Sequence, residues 1–295
     1  MEIKELKKHQ KAMTIDEQIK NLRSLGLNVS DEEYARKVLN DISYFRLIKA
    51  YGLGLKPKNG EYQENVLFED IVNLYTFNLK FRYLLFPIIE SIEVNLRCRL
   101  SNYFCCKYGV LGYKEKENFA NEEYFEEIKK NIEEELQRNS KAPFVRNFRE
   151  NYEGGSLPFY ALVELFSFGT LSKYYKNLNN ADKKEIAKQF GVGYTYLESW
   201  LEHIAYVRNI CAHYGRLYNA KMPKTPQLYK EYSENGIGNN RAFATLICIK
   251  HLIITDSEKW KSFVNDLEKL ISEYDIVRIS TMGFPENWKE LLDIE

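Results

Sequence analysis

The segment LESWLEHIAYVRNICAHYGRLYN, residues 197–219, decides how the chain is read. At about 100° per residue on a helix, Leu197, Trp200, Leu201, Ile204, Val207 and Cys211 form one apolar stripe. Such a stripe marks a helix packed against a core. The spacing predicts a helix from Tyr194 to about Leu217, with Met222-Pro-Lys-Thr-Pro226 ending it. Off the stripe lie Arg208, Asn209 and His213. They combine a permanently charged fork suited to phosphate with the one side chain that titrates near neutral pH.

Asn209 and His213 are four apart and share a helix face. Arg208 and His213 are five apart, so their Cβ directions differ by roughly 140°. Within one chain only the long Arg side chain can bring both head groups to one phosphate. A second copy of the helix, packed antiparallel, unites two Arg and two His in one cleft more naturally. Such groups suit cleavage of RNA, which carries its own nucleophile in the 2′-OH. A His takes that proton or gives one to the departing 5′-oxygen. An Arg stabilises charge on the phosphorane-like transition state, and Asn209 orients the His or a phosphate oxygen. The products are a 2′,3′-cyclic phosphate or 3′-phosphate and a 5′-OH, with no metal and no cofactor required. Tyr214, Arg216 and Lys221 follow as candidate RNA contacts.

A structural alternative stands beside this reading. His213 is a favoured cation at a helix C-terminus, and Arg208 pairs with Glu202 or Glu198. Among the other histidines, His9 sits in a basic start, His203 has no evident partner, and His251 lies on an apolar helix as a packed side chain. On the helix after Pro87, Glu93 and Arg97 are four apart, acid first, the spacing of a helical ion pair. Alternatively one of them lines a polar cleft in support of the site.

Forty-two basic and 42 acidic residues balance, so any RNA-binding surface must come from local charge segregation. The 22 Tyr and 17 Phe are read chiefly as core and helix-interface rings. Cys98, Cys105, Cys106, Cys211 and Cys248 contain no C-x-x-C pair and read as reduced thiols of a cytoplasmic protein. The charged start has no apolar signal region. No apolar run reaches the roughly 20 residues of a membrane helix, so no membrane partner is expected. The sequence lacks a G-x-x-x-x-G-K-[ST] loop, a G-x-G-x-x-G fingerprint, an H-E-x-x-H zinc helix and a G-x-S-x-G elbow.

Long 3.6-residue periods predict an all-α fold. Thr14-Ile-Asp-Glu17 fits a capping box, opening a helix that Gly26 closes. Ser30-Asp-Glu-Glu33 opens a second helix to about Ala50, with Tyr34, Val38, Ile42, Phe45 and Ile48 inward. Residues 56–60 make a turn, loop or brief hairpin. A long helical stretch covers 68–108, which Pro87 kinks or divides. Residues 114–139 form a charged, solvated helix face, and 154–158 break the chain. Ser167 or Thr170 caps a helix after a tight corner at Gly169. Shorter helices follow at 181–190, 241–255 and 258–274, with 227–239 as loop. The expected divisions are an N-terminal helical segment over 1–60, a helical core over 61–256 and a C-terminal helical extension over 257–295, together one compact unit.

These residues resemble the Abi-like family of bacterial phage-resistance proteins, the AbiD/AbiF group, from about Thr14 to about Leu252. The resemblance rests on KAMTIDEQIKNLRSLGL, ISYFRLIKAY, YTFNLKFRYLLFPIIESIEVNLR, LVELFSFGTLSKYYKNL and the 197–219 segment, in that order. The family is placed in the HEPN superfamily, whose shared feature is an R-x4–6-H motif on a helix of an α-bundle. Arg208, Asn209 and His213 match that motif. The resemblance therefore implies a HEPN-type bundle with added N-terminal and C-terminal helices, and a ribonuclease toxin that aborts phage infection. It implies a homodimer with a composite site, since no second Arg and His pair of that spacing occurs. It also implies a small non-coding RNA antitoxin. Glu164 and Ser167 are candidates to support the dimer or the RNA path. The competing readings are a non-catalytic RNA-binding protein that uses the motif as a phosphate patch, and a helical protein-interaction module.

Overall fold

The structure, a computed structural model, describes residues 11–56, 59–253 and 256–294. His9, Pro57, Lys58 and Thr255 lie outside the described residues. The fold is all-α. Among the described residues there is no strand, only isolated bridges pairing Asn28 with Leu67 and Phe119 with Leu178. Among the described residues no helix is long and apolar enough to cross a membrane. Contacts divide the chain into two compact units: Met1–Leu79 with Tyr274–Val277, and Lys80–Glu273 with Arg278–Glu295.

In the first unit, α1 (Ile15–Ser24) starts at the full capping box of Thr14 and Glu17, and Gly26 takes a φ of 83° after its end. α2 (Glu32–Asp41) packs on α1, and its N-cap is Asp31, whose carboxylate accepts from the Tyr34 amide at 2.8 Å. The expected second helix to Ala50 does not form as one piece. Ile42 is extended, and the Ser43 hydroxyl accepts from the Arg46 amide at 3.2 Å, starting a separate wide turn over Phe45–Lys49. That break rotates the later residues. Leu47 and Ile48 are buried while Phe45, expected inside, is 78% exposed. α3 (Phe68–Tyr108) begins in this unit, where Phe68, Ile71, Leu74 and Phe77 are buried.

From Lys80 onward α3 belongs to the second unit. It runs unbroken through Pro87, although proline removes one helical N–H donor. Pro87 and Tyr83, whose carbonyl loses its partner, are both exposed, so water can satisfy that oxygen. α4 (Glu122–Arg138) is capped by Asn121, α5 (Pro143–Asn151) begins with its proline, and α6 (Phe159–Leu162) is one turn. α7 (Phe168–Asn177) is capped by the Ser167 hydroxyl at 3.1 Å from the Thr170 amide. Phe104 of α3 anchors this layer, with the Phe159 ring at 4.9 Å and the Tyr174 ring at 5.5 Å. α8 (Asn180–Lys188) is tied to α3 by Asp182, which accepts from Tyr103 and Tyr108 at 2.7 Å and from Lys107. Burial alone raises that carboxyl's pKa; the hydrogen bonds from Lys107 and the two tyrosines outweigh it and hold it below the usual range.

α9 (Tyr194–Ala212) packs among α7, α8 and the later α11. The predicted stripe of Leu197, Trp200, Leu201, Ile204, Val207 and Cys211 is buried, and so are His203 and Ala205. Beyond it come the short α10 (Lys230–Glu234), in a stretch expected as loop, then α11 (Ala242–Leu252), α12 (Ser257–Ser272) and α13 (Trp288–Leu292). The chain after α9 folds back along it. Trp200 donates its indole N–H to the Gln227 carbonyl at 2.6 Å, and the Gln227 amide donates to Ser199 at 2.8 Å.

His203, which the sequence left without a partner, clamps this return. Its Nδ1 is 2.6 Å from the Lys224 carbonyl and its Nε2 is 2.8 Å from Thr245 Oγ1. A carbonyl only accepts, so Nδ1 carries the proton and Nε2 accepts from the Thr245 hydroxyl. Burial pushes the His203 pKa down to about 4, against a smaller upward pull from the Lys224 carbonyl. His251 packs against the Trp200 ring at 5.5 Å and meets the Tyr232 hydroxyl at 3.0 Å. Burial, with the nearby Lys250 charge, lowers its pKa also to about 4. Both folded-state values lie below the unfolded one, so the unfolded chain binds the extra protons. Their contribution is complete above pH ~6.5 and is lost as pH falls through about 4. For His203 it is on the order of 3 kcal/mol. Urea unfolding at stepped pH will show stability falling across this window, and His203→Gln will flatten the fall. A wild-type midpoint unchanged from pH 7 to 4.5 contradicts the neutral-histidine assignment.

Candidate functional site

Arg208 leaves α9 toward α3. Its Nε lies 3.5 Å from Glu93 Oε2. Arg97 donates to Glu93 Oε1 at 3.1 Å and to the Phe166 carbonyl at 2.8 Å, and sits 3.6 Å from Glu164. The Glu93 carboxylate thus stands between two guanidiniums. Side-chain exposures of 11% for Glu93, 16% for Arg97 and 30% for Arg208 place this triad at the edge of the core. With Phe86, Glu90 and Val94 it lines a cleft of about 120 Å³. The sequence offered a helical ion pair or a cleft wall for Glu93 and Arg97, and the structure gives them both roles. The alternative partners of Arg208 are engaged elsewhere: Glu202 pairs with Lys224, and Glu198 with Lys183 at 2.9 Å.

The Arg208–Glu93 contact is an attraction of charges. Arg208 Nε is buried and makes no aligned hydrogen bond, although Glu93 is within ion-pair distance. Removing two charges from water offsets much of such a pair's Coulomb gain. Glu93 therefore fixes the direction of the Nε edge more than it stabilises the fold. The other edge faces Asn209, whose Oδ1 is 3.5 Å from Arg208 Nη1, at the limit of a hydrogen bond. Asn209 also lines a second cleft of about 330 Å³ with Tyr206, Glu202 and Lys176. Lysines and glutamates both line that cleft, so its field is mixed in sign.

The helix stops five residues before the predicted Leu217. His213 is its C-cap, with φ −102° and ψ 26°. Tyr214 takes a φ of 58°, a left-handed conformation uncommon for a bulky side chain. The Gly215 amide donates back to the Ile210 carbonyl at 2.7 Å, the bond that closes a Schellman-type end. A Cβ on Gly215 would come 2.7 Å from Ile210 Cγ2 and 3.1 Å from its carbonyl, so the residue must be glycine. Arg82, buried in α3, donates to the Cys211 carbonyl at 3.1 Å and lies 5.8 Å from the Tyr214 ring. The guanidinium thereby satisfies the negative end of α9.

This construction presents His213 to solvent at the helix end. No hydrogen bond among the described residues joins it to Arg208. Tyr214 beside it is 65% exposed. Lys221 is exposed, and Arg216 is half-buried. Burial pushes the Cys211 thiol up to about 12, which removes it as a nucleophile at neutral pH. Arg208, Asn209, Glu93 and Arg97, each singled out from the sequence, lie in one neighbourhood of the structure. Sequence reasoning missed Arg82 and Gly215. The available signal was a lone Arg within the apolar run FRYLLFPII, residues 81–89.

Gly215→Ala is expected to destabilise the protein by about 1–3 kcal/mol through the clash with Ile210. Arg82→Met, which orphans the Cys211 carbonyl, is expected to remove a similar ~1–3 kcal/mol. Denaturant unfolding reads both. Two variants as stable as the parent contradict this account of the helix end.

A family model described as Abi-like protein matches residues 37–219, more than half of the chain and inclusive of the whole 208–213 run. No curated protein and no solved structure matches the chain.

Proposed function

The chain belongs to the Abi-like protein family, and on that premise we propose that it acts in abortive infection, the arrest of a phage-infected cell, as a metal-independent endoribonuclease of HEPN type. The observation that carries the proposal is the pair of groups at the end of α9. One is a guanidinium held on its Nε edge by Glu93 and bordered by Asn209. The other is an exposed imidazole one turn later.

The terminal nitrogens of Arg208 receive the scissile phosphate, whose oxygens compete with Glu93 for the positive charge. The His213 imidazole removes the 2′-OH proton as the 2′-oxygen attacks phosphorus. The P–O5′ bond breaks, and the 5′-oxygen takes a proton from the protonated imidazole of a second copy. Arg208 stabilises the added negative charge in the transition state. The products are a 2′,3′-cyclic phosphate and a 5′-OH. Arg208 and His213 are not joined within one chain, which favours a site shared by two copies and hence a homodimer. Tyr214 stacks on an unpaired base, while Arg216 and Lys221 contact the backbone. A small non-coding RNA antitoxin holds the enzyme in check until infection.

His213→Ala is expected to lower cleavage of bulk RNA in EDTA by at least ~100-fold and to abolish toxicity, with the circular dichroism spectrum unchanged. Arg208→Lys keeps the charge and loses the fork, so it too is expected to lower cleavage by roughly 100-fold or more. A His213→Ala variant as toxic as the parent sinks the ribonuclease reading; salt-sensitive RNA binding without cleavage replaces it with the phosphate-patch reading. Light scattering is expected to give a dimer at micromolar concentration. Full activity from a monomer contradicts the shared site.

A further inference from the structure

A pocket of about 460 Å³ lies where α4 and α5 meet the turns Gly112–Lys114 and Glu153–Gly155. Its volume is within the range of small-molecule sites. None of its lining residues belongs to α9, so it stands apart from the Arg208 cleft. Its walls are apolar: Tyr113, Phe125, Ile132 and Leu157 are buried, and Leu136 is half-buried. Two of these rings are braced from behind. Tyr113 lies 6.1 Å from Phe159, and Phe125 lies 5.4 Å from Phe119. The walls are thus part of the aromatic core and hold their shape without an occupant.

The mouth carries Lys114, Lys129 and Arg149 against the single acid Glu133. Among the described residues no carboxylate of the pocket lining pairs with any of the three cations. Lys114 contacts the Ser156 hydroxyl, and Arg149 donates to the Leu136 carbonyl at 3.4 Å. The nearest carboxylate to Lys129 is that of Glu126, 3.9 Å away and outside the lining. The two hydroxyls of the wall, those of Tyr113 and Ser156, are already used as donors. Tyr113 donates its hydroxyl to the Leu157 carbonyl at 2.9 Å, and Ser156 donates to the Gly154 carbonyl at 3.3 Å. Neither hydroxyl of the wall therefore has a free proton with which to read the edge of a base.

We propose that this pocket binds an amphipathic organic anion, with an acyl or aryl body in the apolar walls and one carboxylate, sulfonate or phosphate head at the three cations. Burying the body supplies the larger share of affinity, and the cations set its orientation. The site goes beyond the ribonuclease reading and stands or falls separately from it.

The test uses the full-length protein and three probes: anilinonaphthalene sulfonate by fluorescence, decanoate by competition, and adenosine monophosphate by calorimetry. One saturable site is expected for the sulfonate, displaced by decanoate and not by the nucleotide. Lys129→Glu with Arg149→Glu is expected to weaken it at least tenfold. Leu136→Trp, which fills the pocket, is expected to abolish it, with unfolding midpoints of all variants near the parent's. Absence of saturable binding overturns the proposal. So does binding that both variants leave unchanged, or preferential binding of the nucleotide.

Discussion

A 19-residue helix has to end against the core of the second unit, and the way it ends sets which side chains it presents to solvent. The last carbonyls of a helix have no partner within it. Here Arg82 reaches the Cys211 carbonyl from α3, and the Gly215 amide returns to Ile210. Closing the helix in this way forces Tyr214 into the left-handed region. The same closure leaves His213 at the boundary, exposed and unencumbered by any described partner, one turn beyond an Arg that is held. A helix continuing to Leu217 would have carried Tyr214 and Gly215 around its circumference and would have no such corner.

The electrostatics separate groups that serve the fold from groups available for chemistry. His203 is buried and His251 half-buried, the pKa of each is lowered to about 4, and each is engaged through Nε2 by a hydroxyl, that of Thr245 and of Tyr232 respectively. Cys211 and Cys248 are buried thiols whose pKa burial raises. Glu93 differs from these, since its carboxylate meets two guanidiniums at the margin of a small cleft. An anion arriving there finds Arg208 oriented and its charge only partly compensated. That combination of a directed fork and an incomplete hydrogen-bond shell is what the proposed phosphodiester site draws on.

Much of this was readable in residue order because the relevant signals are local. The α9 stripe follows from the 3.6-residue period, and its buried residues are those the period selects. The Thr14 capping box and the Ser167 cap follow from side chains acting three residues away. The misses share a different cause. Ser43 captured the Arg46 amide and broke a helix whose apolar spacing looked continuous to Ala50. Pro87 left α3 unbroken because its missing donor falls on the solvent side, a fact of packing that one helix pattern does not contain. Arg82, His203 and the return of the chain along α9 depend on partners 21 to 129 residues away. The resemblance to Abi-like proteins stated from the motifs agrees with the family match over residues 37–219, whereas the convergence of Arg208 and His213 on one phosphate rests on chemistry alone.

The decisive measurement is the chemistry of the cut ends. Purified protein incubated with a defined single-stranded RNA in excess EDTA is predicted to yield fragments ending in 2′,3′-cyclic phosphate and beginning with 5′-OH, since the proposed mechanism makes the 2′-oxygen the nucleophile and gives its proton to His213. Fragments carrying 5′-phosphate and 3′-OH, or cleavage that stops when divalent ions are removed, would contradict the account.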